Sequence, residues 1–134
     1  MVCIYCGGST RVTNSRQQKR SNSTWRRRQC DECRAIATTQ EHTDLSKSLV
    51  VTDRSGAFSA FLRDRLFIDI YEAVRHRKTA LDDATALTDT IINHILPRAD
   101  AGNISSSTIA QLAHDTLTAF DHAAATHYQA YHTD

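Results

Sequence analysis

The 134-residue chain contains no run of about 18 apolar residues, which excludes a membrane-spanning helix of ordinary length. Residues 1–15 also lack the apolar core of a secretory signal, so the chain is expected to be soluble, unexported and free of membrane contact. Glycine is scarce: of the four glycines only Gly7 and Gly8 are adjacent, and no Gly-rich phosphate loop exists. There is no nucleophile elbow, and none of the seven histidines falls in an H-E-x-x-H pattern. His114, His122, His127 and His132 are therefore taken as surface side chains, not as a second metal site. Asp82 and Asp83 adjoin each other where a helix start favours negative charge, so they are not read as an acid/base pair. No catalytic residue is expected, and neither is an enzyme. Internal repeats and low-complexity tracts are absent apart from the short AAAT at 123–126.

Net charge is nearly absent too, at +1, but its distribution is uneven. Residues 1–34 carry eight Lys/Arg against two acids, giving +6, and residues 35–134 carry eight against thirteen, giving −5. A basic head on an acidic body implies that the head alone meets a polyanion. The composition changes along the same line. Residues up to about 40 are rich in Arg, Ser, Thr, Asn and Gln and have almost no aliphatic run, so the head is unable to bury a core of its own.

What the head does have is cysteine. Cys3 and Cys6, then Cys30 and Cys33 after a gap of 23 residues, form two C-x-x-C knuckles, each able to present two thiolates to tetrahedral zinc. The gap is longer than the commonest four-cysteine spacing, and a longer ribbon or an extra turn would absorb it. Gly7 and Gly8 follow the first knuckle, where a chain wrapping a metal needs unusual backbone angles. The competing reading is four free or disulfide-bonded cysteines. In a reducing compartment disulfides are rare, and so polar a head needs a staple; Zn2+ is therefore expected on all four.

A metal-closed ribbon leaves most of its side chains to a partner. Arg26, Arg27 and Arg28 enter the second knuckle in extended backbone, so Arg26 and Arg28 share one face and Arg27 takes the other. Arg11, Arg16, Lys19, Arg20 and Arg34 extend the charge. Arginine outnumbers lysine seven to one here, and its planar fork suits phosphate and the O6/N7 edge of guanine. The alternative is a merely solvated basic face; coupled to a zinc ribbon, the charge reads as a nucleic-acid site. Trp25 is able to stack on a base or sugar, or to fill the ribbon's small apolar plug, and the plug is the reading adopted.

The body alternates quickly between elements. LVV at 49–51 and RSGAF at 54–58 read as two short strands around a glycine turn. Leu62, Leu66, Ile70 and Val74 recur every fourth residue and predict a helix ending near RHRK at 75–78. Thr79 is the expected cap of a second helix with the stripe Ala84, Leu87, Ile91 and Ile95, closed by Pro97. RADAGN at 98–103 reads as a loop. A third helix is expected from Ser105–Ser107 through Ile109, Leu112, Ala113, Leu117 and Phe120, and Asp121 is placed to cap a last helix carrying Ala125, Tyr128 and Tyr131. The fold class is α+β: a small ribbon of β-hairpins over residues 1–44, then a mainly helical domain with one short β-hairpin over residues 45–134.

These residues also resemble a known family. Cys3 to Gly7, Thr10-x-Val12-x-x-Ser15-Arg16, Arg26-Arg27-Arg28-x-Cys30-x-x-Cys33 and Thr38-Thr39-x-Glu41 are similar to the amino-terminal half of the NrdR proteins, bacterial repressors of ribonucleotide reductase genes. Val50-Val51 followed by RSGAFSAF at 54–61 looks like the start of that family's ATP-cone domain. SSSTI at 105–109 and Phe120-Asp121 fall where its later helices do. The resemblance implies a zinc-dependent repressor that binds repeated operator sites on double-stranded DNA in the bacterial cytoplasm, at the nucleoid. It also implies a homo-oligomer whose subunit number responds to ATP and dATP bound in the cone. On that pattern Arg54 and Arg65 would meet the phosphates, Val51 and Phe58 the base, and Tyr128 would close the pocket.

Departures from the pattern are visible. The family's Asp-Ser-Arg is Asn14-Ser15-Arg16 here, and Ala35, Ile36 and Ala37 precede Thr38-Thr39 where the family has Arg-Phe. In the cone, Thr52 and Asp53 replace the lysine expected after the Val-Val pair, with Arg54 one residue late, and Arg65 replaces a lysine. His127, Tyr128 and Tyr131 occupy a stretch where the family has an Arg-Phe pair and a tyrosine. Asp53 beside a triphosphate opposes binding unless Arg54 or Arg65 compensates. The alternative function is therefore an adaptor whose ribbon grips RNA or protein and whose degenerate cone no longer takes nucleotide.

Overall fold

The computed structural model describes residues 1–132 and divides them into two compact units, the first spanning Met1–Thr43 and the second beginning at Asp44. The first is a three-stranded antiparallel sheet in the order β1-β2-β3: β1 Thr10–Gln18, β2 Ser23–Cys30 and β3 Ile36–Glu41. The nine residues of β1 and the eight of β2 form the long hairpin that absorbs the extended cysteine gap. Almost nothing in this unit is buried. Cys3, Cys30 and Ser23 are its only buried side chains among the described residues. Trp25, expected as an apolar plug, is only half-buried on the sheet surface, because a single layer has no second layer to cover it.

The second unit runs α1 Leu45–Ser48, β4 Val50–Thr52, β5 Phe58–Ala60, α2 Arg63–Val74, α3 Ala80–Ile95, β6 Asn103–Ser105, α4 Ser106–Phe120 and α5 His122–Tyr131. The stripe Ala84, Leu87, Ile91 and Ile95 is buried as its spacing predicts, against Ile70 and Val74 of α2 and Leu117 of α4 in one apolar core. The helix ends also follow the sequence. Ser105 accepts from the Thr108 amide, and Asp121 accepts from Ala123 and Ala124.

Three local expectations change, and one short helix is added to them. The hairpin strands are Val50–Thr52 and Phe58–Ala60, so Arg54-Ser55-Gly56-Ala57 is turn, not strand; Asp53 shapes it by accepting from the Ser55 hydroxyl at 2.7 Å and the Ala57 amide at 2.9 Å. Thr79 occupies the cap position of α3 without capping: its hydroxyl donates to Asp83 Oδ2 at 2.7 Å, which leaves it turned away from the free amides. The loop at 98–103 begins inside a 3-10 turn over Leu96–Arg98 and ends in β6, which pairs parallel to β4, Val51 opposite Ile104. The sheet order is therefore β5-β4-β6, with the local hairpin on one side and a long-range partner on the other. Finally, residues 45–48 are helical. Gly102, with φ +81°, closes the approach to β6; a Cβ there would sit 3.0 Å from the Ser48 carbonyl oxygen.

A polar cluster ties the α2–α3 turn to the α4–α5 corner. Arg77 donates to Asp83 at 2.8 Å and to Asp121 at 3.2 Å, its guanidinium lies 4.6 Å from the Phe120 ring centroid, and His76 Nε2 is 3.2 Å from Asp121. One buried hydroxyl is left out of any network: Thr88 Oγ1, fully enclosed in α3, has no partner among the described residues. Thr88→Val keeps the shape and removes an unsatisfied group whose burial costs about 1 kcal/mol or more, so thermal unfolding should shift upward by about 4 °C. An unchanged or lowered midpoint by circular dichroism would mean that the hydroxyl is satisfied.

Candidate metal centre and nucleotide cleft

The two knuckles meet at the base of the β1–β2 hairpin. Cys3 donates its amide to the Gly8 carbonyl at 2.8 Å and its carbonyl accepts from Gly7 at 3.0 Å, a tight turn that Gly7 permits with φ +77°. Gly8 has ordinary backbone angles, contrary to expectation, and a Cβ there would instead meet the Glu32 carboxylate. The Cys30 amide donates to the Ala35 carbonyl at 2.9 Å, and Arg34 takes φ +63°, which turns the second knuckle back on itself. As a result the four Sγ atoms lie within 4.8 Å of one another, with Cys3–Cys33 at 3.7 Å and Cys6–Cys30 at 3.5 Å. Four sulfurs bound tetrahedrally at about 2.3 Å from zinc stand about 3.8 Å apart, so the spacing fits that ion. Electrostatics agree with it. Cys3 is drawn down to about 7, chiefly by the Cys6 amide and then by that of Tyr5. At Cys6 the Gly8 amide favours the thiolate, but the neighbouring thiols of Cys33 and Cys30 outweigh it and push the group up to about 12. A divalent cation at the centre removes that conflict between like charges. The four cysteines are thus positioned to bind one zinc ion.

The basic residues divide by environment. Arg26 reaches Glu41 at 2.6 Å, Arg28 Nε donates to Thr39 at 3.3 Å, and Arg11 is shared between Gln29 at 3.2 Å and Asp31 at 3.6 Å. Arg16, Lys19, Arg20, Arg27 and Arg34 are exposed, and their side chains make no hydrogen bond or ion pair among the described residues.

Among the described residues of the second unit, three clefts border on His132. One, of about 340 Å³, is lined by Asp53, Arg54, Ser55, Ser106, Ser107 and Ala110. The others, of about 410 and 350 Å³, share Tyr128, which is buried and stacks on His132 at 4.1 Å. Burial, with Asp69 adding to it, raises the Tyr128 hydroxyl well above its ordinary value. Of the nucleotide candidates, Arg54 lines the first cleft and Tyr128 the other two, while Val51 packs on the core. Arg65 and the exposed Phe58 line none of the three, although Arg65 acts on Asp69 through its charge. Ser106 and Ser107 are cleft residues that sequence reasoning took only as a helix start. Their signal was present in the serine cluster, but its placement beside the 53–55 turn depends on β6 pairing with β4.

A four-cysteine ribbon followed by a mainly helical unit around a small mixed sheet defines the class as a metal-stapled α+β protein. The family model described as "Transcriptional repressor NrdR-like, N-terminal domain" matches residues 1–41. The protein named Transcriptional repressor NrdR from Streptococcus gordonii is 34% identical over 122 residues, covering 90% of this chain and 76% of that protein. Those of Streptococcus sanguinis and Streptococcus pneumoniae are 32% and 31% identical over the same coverage. The chain belongs to the NrdR family of transcriptional repressors. Its relatives are named for a non-enzymatic role. No helix among the described residues is long and apolar enough to cross a membrane.

Proposed function

We propose that this chain is a zinc-dependent DNA-binding repressor of ribonucleotide reductase genes whose oligomeric state responds to ATP and dATP. The observation that carries the reading is the convergence of four thiols in a +6 head that has no other core. Zinc at Cys3, Cys6, Cys30 and Cys33 would fold the ribbon, and DNA would meet a surface drawn from its eight cations, Arg11, Arg16, Lys19, Arg20, Arg26, Arg27, Arg28 and Arg34. One such ribbon covers a short site, less than the surface a specific DNA complex buries. Two or more are therefore held at fixed spacing by self-association of the acidic body, whose own charge repels DNA.

The clefts support a nucleotide at Arg54, which would meet phosphate beside the first-turn amides of α4 at Ser106 and Ser107, the positive end of that helix. The Asp53 carboxylate is engaged in its own turn, with the Ser55 hydroxyl as the first cause holding it below the usual carboxylate range. Phe58 is 74% exposed, which leaves an aromatic face available to a base; Val51 lies on the other face of the hairpin, against the core, and Arg65 and Tyr128 would serve as second cation and inner wall. A ligand that changes how bodies pack changes half-site spacing without touching DNA.

The test is retardation of reductase-promoter duplexes by zinc-loaded protein, with scrambled duplex as control, alongside light scattering with ATP and dATP. Promoter-selective binding that vanishes on chelation and falls steeply with salt is expected, as is a mass change with nucleotide. No preference for promoter over scrambled duplex would reject the repressor reading. No mass change with either nucleotide would reject the sensor.

A further inference from the structure

The register of the ribbon sheet sorts its side chains into two faces of different chemistry. Directly paired residues of antiparallel strands point to the same side. On one face Asn14, Arg27 and Thr38 form a row, and Arg16, Trp25 and Gln40 form the next. On the other face lie Arg28 and Arg26, with Val12, Ser15, Ala37 and Thr39 beside them. Arg11 also lies on the first face, shared between Gln29 and Asp31, so the faces carry three arginines and two; what separates them is that the first alone has arginine side chains unpaired among the described residues. Arg26 is held by Glu41 at 2.6 Å and Arg28 by Thr39 at 3.3 Å, and both are half-buried. Arg16 and Arg27 are exposed and unpaired among the described residues.

A β-bulge produces this sorting. The pairing shifts between Val12 and Asn14, so Thr13 is the extra residue, and its hydroxyl donates to the Arg27 carbonyl at 3.2 Å, which pins the bulge. Strict alternation puts Arg11 and Arg16, an odd number of residues apart, on opposite faces. The bulge advances the phase by one, so Asn14 and Arg16 join Arg11 and Arg27 on the same side.

Resting on the reading of the ribbon as the DNA-binding unit, we propose that the face bearing Asn14, Arg16, Trp25, Arg27 and Gln40 is the one laid against duplex DNA, and that Arg26 and Arg28 belong to the face turned away from it. The free cations supply phosphate and guanine contacts, and Asn14 and Gln40 supply the paired donor and acceptor that match adenine. The row from Asn14 to Thr38 spans two interstrand steps, roughly 10 Å, which fits a major groove about 12 Å wide. Trp25 lies between Arg16 and Gln40, where its indole would sense the approach of DNA.

The experiment compares full-length, zinc-loaded Arg16→Gln/Arg27→Gln with Arg26→Gln/Arg28→Gln on a labelled reductase-promoter duplex, after zinc content and circular dichroism confirm the fold. The first pair should weaken binding by about tenfold or more and lower the salt slope by about two, and the second should cost less than about threefold. Trp25 fluorescence should change when wild-type protein binds. Equal losses, or a greater loss from Arg26→Gln/Arg28→Gln, would overturn the choice of face and leave DNA binding standing. Wild-type protein that ignores the duplex, or prefers single-stranded RNA of the same sequence, would overturn the DNA reading itself and this assignment with it.

Discussion

Cys30→Ser should strip the zinc from the ribbon and unfold residues 1–43 while the helices of the second unit melt at their usual temperature. The first unit has nothing else to hold it. Cys30 is 1% exposed and sits at the end of β2, yet the only other buried side chains there are Cys3 and Ser23. Zinc supplies about 10–16 kcal/mol of apparent binding energy to small metal-dependent domains, far more than the exposed strands recover from hydrogen bonds and scattered apolar contacts. Serine offers an alcohol that does not ionise near neutral pH, so the four-thiolate shell is broken. Metal analysis should fall from about one zinc per chain to a small fraction of that. Far-ultraviolet circular dichroism should retain the helical signal, because Ile70, Ile91 and Leu117 lie in a core that contains no ribbon residue. A variant that keeps stoichiometric zinc, or whose helical transition falls along with the ribbon, would contradict this account.

Asp121→Ala should lower the melting temperature of the helical unit by about 5 °C or more and blunt its sensitivity to acid. One carboxylate serves three elements: Oδ1 accepts from the amides of Ala123 and Ala124, and Oδ2 faces His76 and Arg77. Its removal uncaps α5 and leaves the Arg77 guanidinium with Asp83 alone. The Ala124 amide is the largest cause holding this carboxyl below its ordinary range, with His76, Ala123 and Arg77 adding to it. A depressed folded value means that its stabilisation is complete above the unfolded value near 4, and is lost as pH falls through the lower folded one. Asp83, depressed chiefly by Arg77, titrates in the same sense. Melting temperature measured from neutral pH down to about pH 2 should therefore decline more steeply for wild type than for the variant, since the unfolded carboxyl titrates near 4. Asp121→Asn should recover the cap but not the charge. Parallel acid slopes in wild type and Asp121→Ala would show that the carboxylate is not the sensitive group.

The parts legible from sequence were those whose physics is local. Two C-x-x-C knuckles need only short turns to aim their thiols, and an interval of three or four residues is enough to place Ala84, Leu87, Ile91 and Ile95 on one helical face. Asp121 was recognisable as a cap because its partners lie within three residues, and the serine cluster at 105–107 was recognisable as a helix start. Thr79 was not recognisable as a failure, since the Asp83 that captures its hydroxyl lies one residue past the amides a cap would serve. The bulge at Thr13 is invisible to alternation, which assumes a constant phase along β1. The hairpin was found but displaced, because Asp53, and not Gly56 alone, sets where its turn closes. Strand β6 has three residues and takes its identity from β4, so no window around Asn103 contains the information. The same gap hid Ser106 and Ser107 from the candidate site.

That parallel pairing has a kinetic side. Val51 and Ile104 become neighbours only after α2, α3 and the turn between them have been laid down, because the whole antiparallel pair lies inside the loop that their contact closes. The β5–β4 hairpin forms from chain neighbours, but the β6 side of β4 is a late event and the first to be forfeited when the helices loosen. Amide hydrogen exchange read along β4 would therefore act as a clock on the whole unit: the Val50 amide, which donates to the Gly102 carbonyl at 2.8 Å, reports closure of the long loop, and the Phe61 amide, held by Leu49 at 3.0 Å, reports only the hairpin.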